Sequence, residues 1–113
     1  MTDPQKLTGC PIALSNAIAY ADGAIVSKTL LDKKAGTLTL FAFDAGQGLS
    51  EHTSPYDATV LILEGEGTLH IGGDIVKARA GDMVVMPANV PHDVRADRRF
   101  KMLLIMIREK QDA

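Results

Sequence analysis

From residue 24 onward the chain is a succession of short β-type runs cut apart by turn residues. AIVSKTLL (24–31), TLTLFAF (37–43), ATVLILE (58–64), GTLHI (67–71), IVKAR (75–79) and MVVM (83–86) are bounded by turns rich in glycine, aspartate and proline. In TLTLFAF, Leu38, Leu40 and Ala42 share one face of the strand, while Thr37, Thr39, Phe41 and Phe43 share the other. GGD (72–74) is a hairpin turn, and His92 opens a further strand after the proline-flanked loop 87–91. RFKMLLIMIR (99–108) is the most apolar run and predicts burial on both faces, one toward the core and one toward a partner subunit. No stretch after residue 24 is long enough for a crossover helix, which excludes a parallel α/β sheet. The pattern predicts an all-β, antiparallel barrel or jelly-roll sandwich.

One domain fits in 113 residues. Residues 24–113 are assigned to it. Residues 1–23 form an N-terminal arm, with one helical turn at 14–20 capped by Ser15 or Asn16. A net charge of −2 and the absence of tryptophan give no footprint for nucleic acid. The apolar run at 102–107 is too short to span a bilayer, and the N-terminus lacks the basic start and long apolar core of a signal peptide. A single cysteine, Cys10, excludes an intrachain disulfide and a cysteine-based zinc cluster. Cytoplasmic residence is the expectation.

Two segments carry chemistry. In GQGLSEHTSPYDATVLILEG (46–65), Gly46 is followed after five residues by His52, and Gly65 closes the segment. In GDMVVMPANVPHDVRA (81–96), Gly81, Pro87 and His92 recur at fixed spacing. These segments resemble the two motifs of the cupin superfamily, G-x5-H-x-H-x3,4-E-x6-G and G-x5-P-x-G-x2-H-x3-N. The resemblance spans about residues 37 to 107 and implies a cupin-type barrel, a small-molecule ligand and a homodimer. In the family, the two histidines and the glutamate of the first motif, with the histidine of the second, usually bind a metal ion. Here His52 and His92 occupy two of those positions, Ser54 stands in place of the second histidine and Ala58 in place of the glutamate. Asn89 replaces the second-motif glycine, an exchange the left-handed region tolerates.

Two readings of the site follow. In one, His52 and His92 hold a divalent transition metal weakly, with Zn, Ni, Fe, Mn or Cu as candidates and water or substrate completing the shell. In the other, no physiological metal is present. Three functions are consistent with these residues: a small-molecule-binding protein, a metal-dependent dioxygenase or isomerase, and a metal-free isomerase. The last resembles cupin-like sugar epimerases, with His52 or His92 as base and Tyr56 as acid. Strand parity places Ser54, Tyr56, Ala58, Val60, Ile62 and Val94 around the ligand, and Met83, Met86, Met102 and Met106 are candidate walls of the same pocket. His70, flanked by Leu69 and Ile71, is expected on the opposite, solvent-facing side of its strand. Cys10 reads as inert.

Overall fold

The period-two patterns become strands almost where the sequence places them. A computed structural model describes residues 9–109. Nine strands are present among these residues: β1 (Ile25–Lys33), β2 (Gly36–Phe43), β3 (Gly48–His52), β4 (Asp57–Glu64), β5 (Glu66–Ile71), β6 (Asp74–Arg79), β7 (Met83–Met86), β8 (His92–Arg95) and β9 (Phe100–Ile107). They form a five-stranded sheet in the order β1-β2-β9-β4-β7 and a four-stranded sheet in the order β3-β8-β5-β6. All the strand pairs are antiparallel. The architecture is a two-sheet sandwich of the jelly-roll kind.

Alternation decides which face of each strand enters the sandwich. In β4, Ala58, Val60 and Ile62 are buried to 1% exposure or less and join Leu69, Val94, Met86 and Met102 between the sheets. Phe43 and Phe100 stack in this core with ring centres 4.7 Å apart, the spacing of a favourable aromatic pair. Gly67 makes room for them, because a Cβ at that position would lie 2.7 Å from the Phe100 ring. Gly46, Gly65 and Gly81 have φ of +86°, +76° and +94°, and Asn89 has φ of +64°. All four motif positions are therefore left-handed, the conformation that glycine adopts freely and that Asn89 was expected to tolerate.

The outer face of the five-stranded sheet has its own apolar layer. Ile18 packs there with Leu40, Ala42 and Leu103, flanked by Leu14, Ala17, Tyr20 and Leu61. The chain's own N-terminal segment thus covers part of the outer face of β9, which the sequence reading assigned to a partner subunit. Lys101 is buried within this contact, donates to the Ser15 carbonyl at 2.6 Å and lies 5.0 Å from the centre of the Tyr20 ring. The turn expected at 14–20 shrinks to a single 3₁₀ turn at Leu14–Asn16, preceded by Ala13 with no side-chain cap. Packing on the sheet, rather than capping by Ser15 or Asn16, holds the segment.

Candidate functional site

β3 is a strand that alternation did not reveal. Its sequence GLSEH is exposed at all but Leu49, because it is an edge strand paired only with β8. The ladder between them shifts register after Leu49 and then sets His52 directly opposite His92. Residues paired this way project to the same face. The two imidazoles accordingly meet edge to face, with ring centres 4.4 Å apart and planes at 69°. His92 is buried, whereas His52 is exposed, so the pair opens to solvent on the β3 side.

Each ring is held the same way. His52 Nδ1 lies 2.8 Å from the Ser50 carbonyl oxygen, and His92 Nδ1 lies 3.0 Å from the Val90 carbonyl oxygen. A carbonyl only accepts, so each Nδ1 carries the proton and donates it. Each Nε2 is left with its lone pair, the state in which imidazole binds a metal or takes up a proton.

The loops beside the pair are stitched together. The Ser54 hydroxyl accepts from the Tyr56 amide at 3.1 Å, and the Ser54 carbonyl accepts from the Asn89 amide at 2.7 Å. Asp57 accepts from the Ala88 amide at 2.9 Å. The carboxylate of Asp57 is thereby used in joining the two motif loops. Ala58 is fully buried and paired with Met86 on one side and Met106 on the other, so the position that carries a glutamate in the family is apolar here.

Met83 does not face the interior. It is 63% exposed and pairs with Leu61, whose side chain belongs to the outer apolar layer. Its neighbour Val84, paired with Val60, packs on the core instead. Parity within β7 could not be set without the register to β4. His70 does lie on the outer face, but it is not a free solvent-facing side chain. Its Nδ1 is 2.6 Å from a carboxylate oxygen of the buried Asp93 on the adjacent strand β8. A recess of about 530 Å³ lies along 46–51 and 93–97 and is lined by neither His52 nor His92.

No group of three or more His, Cys, Asp or Glu side chains among the described residues is disposed to hold a metal ion. From these side-chain types among the described residues, the contribution to such a site is two imidazoles. The two rings are neighbours, with centres 4.4 Å apart, and with both Nδ1 atoms spent on backbone carbonyls the donor set they offer is imidazole Nε2, a ligand type that suits divalent transition metals. The pair fits an open, two-ligand platform and does not fit a closed structural site, which takes four protein ligands.

The Cupin domain family model matches residues 39–108, which contain both histidines and seven complete strands. The chain belongs to the cupin family. Among solved cupin-like structures, a conserved protein of unknown function from Streptococcus pyogenes is 31% identical, with 93% of this chain and 90% of that one covered and a TM-score of 0.84. A cupin superfamily protein from Desulfitobacterium hafniense is 26% identical over 90% of this chain and 94% of that one, with a TM-score of 0.85. A Cupin 2 conserved barrel domain protein from Leptotrichia buccalis is 38% identical over 84% of this cupin but only 46% of its own length, with a TM-score of 0.81. No curated protein matches the chain.

Proposed function

We propose that this cupin binds a small organic molecule at the His52–His92 end of the sandwich, with a divalent transition metal held by the two Nε2 atoms as the polar anchor. The observation that carries the reading is the shared tautomer: both Nδ1 atoms are spent on backbone carbonyls, and both lone pairs are free on rings 4.4 Å apart. An ion bound there would act as a Lewis acid toward an oxygen of the ligand. With two neutral imidazoles and no carboxylate from the chain, the remaining coordination positions belong to water and the ligand, so binding is weak and the ion exchanges readily.

The chain's own residues define the rest of the site. Buried His92 fixes the inner edge, and exposed His52 leaves a solvent-facing way in. Ala58, Val60, Ile62 and Val94, packed in the core, give the pair an apolar backing. Ser54 and Tyr56, in the segment tied to Asn89 and Ala88, form the polar rim. This composition favours a small, mostly apolar molecule with one polar end. The same lone pairs also favour a second reading. Without a metal, a neutral His92 Nε2 is an acceptor for a substrate proton, with Tyr56 as the candidate acid. A single exposed cysteine accords with a reducing cytoplasm.

The test is calorimetric titration of chelator-treated, untagged protein with Ni²⁺, Zn²⁺ and Mn²⁺. One ion per chain is expected, lost in both His52→Ala and His92→Ala. Binding that survives His92→Ala would overturn the metal assignment. Ligand binding without any metal uptake would favour proton transfer instead.

A further inference from the structure

His52 and His92 share their end of the sandwich with two methionines. β3 ends at His52 and β4 begins at Asp57, while β7 ends at Met86 and β8 begins at His92. Residues 53–56 and 87–91 therefore cross between the two sheets. The Asn89–Ser54 and Ala88–Asp57 hydrogen bonds tie these crossings together at one end. On the five-stranded sheet, the row at that end runs Met86–Ala58–Met106 across β7, β4 and β9. Residues paired this way project to one face. Ala58 and Met86 are buried in the core between the sheets, and Met106 packs against it. On the four-stranded sheet, Val94 belongs to the same core, so His92, two residues before it on β8, faces inward as well. Met102 is also in the core, but it pairs with Ile62, farther along β4 and away from this end.

We propose that the thioether of Met86 or Met106 is a third protein donor beside His52 and His92, which makes the site selective for monovalent copper. The inference rests on the two-histidine metal reading and deepens it. The position that carries a glutamate in the family is Ala58 here, and a methionine stands on each side of it. A carboxylate, which suits harder ions such as Mn²⁺, is thus replaced by sulfur. Imidazole suits copper, and thioether sulfur selects Cu(I). An unbranched side chain with three rotatable bonds lets the sulfur turn toward an ion without backbone movement. Two neutral imidazoles and a thioether bring no charge. An uncharged donor set with an apolar backing favours an ion of single charge, because the cost of taking an ion out of water rises with its charge. A harder divalent ion leaves the sulfur unused, and its other positions stay with water and the ligand.

Competition against the Cu(I) chelator bicinchoninate tests this, with ascorbate-reduced copper under nitrogen. A Cys10→Ser background is used throughout, since the exposed Cys10 thiol is itself a copper ligand. One Cu(I) per chain is expected, held more tightly than Zn²⁺, with sulfur beside nitrogen in the copper X-ray absorption spectrum. Met86→Leu/Met106→Leu nearly conserves volume. It is expected to weaken Cu(I) binding about tenfold or more, at least the cost of losing an outer partner of a metal ligand, and to leave Zn²⁺ affinity unchanged. Met102→Leu is expected to change neither. Methionines that only fill the core would give Cu(I) affinity indifferent to the double variant and no sulfur in the spectrum. That result, with Zn²⁺ binding still dependent on both histidines, would overturn the thioether assignment alone. Failure to bind any of these ions, or binding indifferent to His52→Ala and His92→Ala, would overturn it together with the two-histidine reading.

Discussion

His52 and His92 face each other across the β3–β8 ladder, and each donates its Nδ1 proton to the carbonyl of the residue two positions before it. The symmetry of that arrangement gives two identical nitrogen donors side by side. Its limit is the number of donors, since Ser54 and Ala58 occupy the positions where the family has a histidine and a glutamate.

Restoring one of those donors has a defined consequence. Ala58 is 1% exposed, so Ala58→Glu places a carboxyl among Met86 and Met106. Without metal, the variant is expected to lose about 1–3 kcal/mol of stability from burying a polar group. With Zn²⁺ or Ni²⁺, affinity is expected to rise by about tenfold or more, the equivalent of about 1.4 kcal/mol. Urea denaturation with and without metal reads both effects, which must have opposite signs.

Gly67 lies against the Phe100 ring, and an added Cβ would approach it to 2.7 Å. Gly67→Ala therefore overpacks the stacked Phe43–Phe100 pair. A loss of about 1–3 kcal/mol is expected in chemical denaturation, together with a changed aromatic circular dichroism signal.

Arg99 donates to Asp44 at 2.7 Å and to Asp22 at 2.6 Å. The Arg99 hydrogen bond, followed by the Gly23 and Ala45 amides, lowers the Asp44 pKa to about 2 from an ordinary 3.8. A carboxyl whose folded pKa is depressed stabilises the fold above its unfolded pKa, and that contribution is lost as pH falls through the folded value. Arg99→Ala is therefore expected to unfold at higher pH than the wild type on acid titration. The difference between the two proteins is expected to be present near neutral pH and to shrink between about pH 4 and 2.

The N-terminal segment is fastened by Lys101, whose Nζ donates to the Ser15 carbonyl. Lys101→Met keeps most of the apolar stem and removes the charge-assisted bond. The expected loss is about 1–2 kcal/mol, accompanied by faster proteolysis within residues 14–20. Unchanged cleavage there would mean that Ile18 and its neighbours hold the segment unaided.

Most of this fold was legible because its strands alternate, and alternation is a local property. TLTLFAF, ATVLILE and the glycine-marked turns lie within a residue or two of their predicted bounds. β3 was not legible, since an exposed edge strand such as GLSEH has no apolar face to report. The motif spacing was enough to single out His52 and His92, but their direct opposition depends on a register shift in the β3–β8 ladder. Met83 was misassigned for a related reason: one residue of phase in a four-residue strand decides which face it takes. The His70–Asp93 pair joins residues on two strands 23 positions apart, and nothing near either one announces the other. The docking of Ile18 onto Leu103 is likewise a tertiary event with no local signature.

The central claim concerns two particular nitrogen atoms, and imidazole ¹⁵N NMR observes them directly. In ¹⁵N-labelled protein titrated with Zn²⁺, the Nε2 resonances of His52 and His92 are expected to shift together and to saturate at one ion per chain. Their Nδ1 atoms should remain protonated throughout. Nε2 resonances that stay unchanged, or a shift confined to one of the two histidines, would contradict a shared metal site.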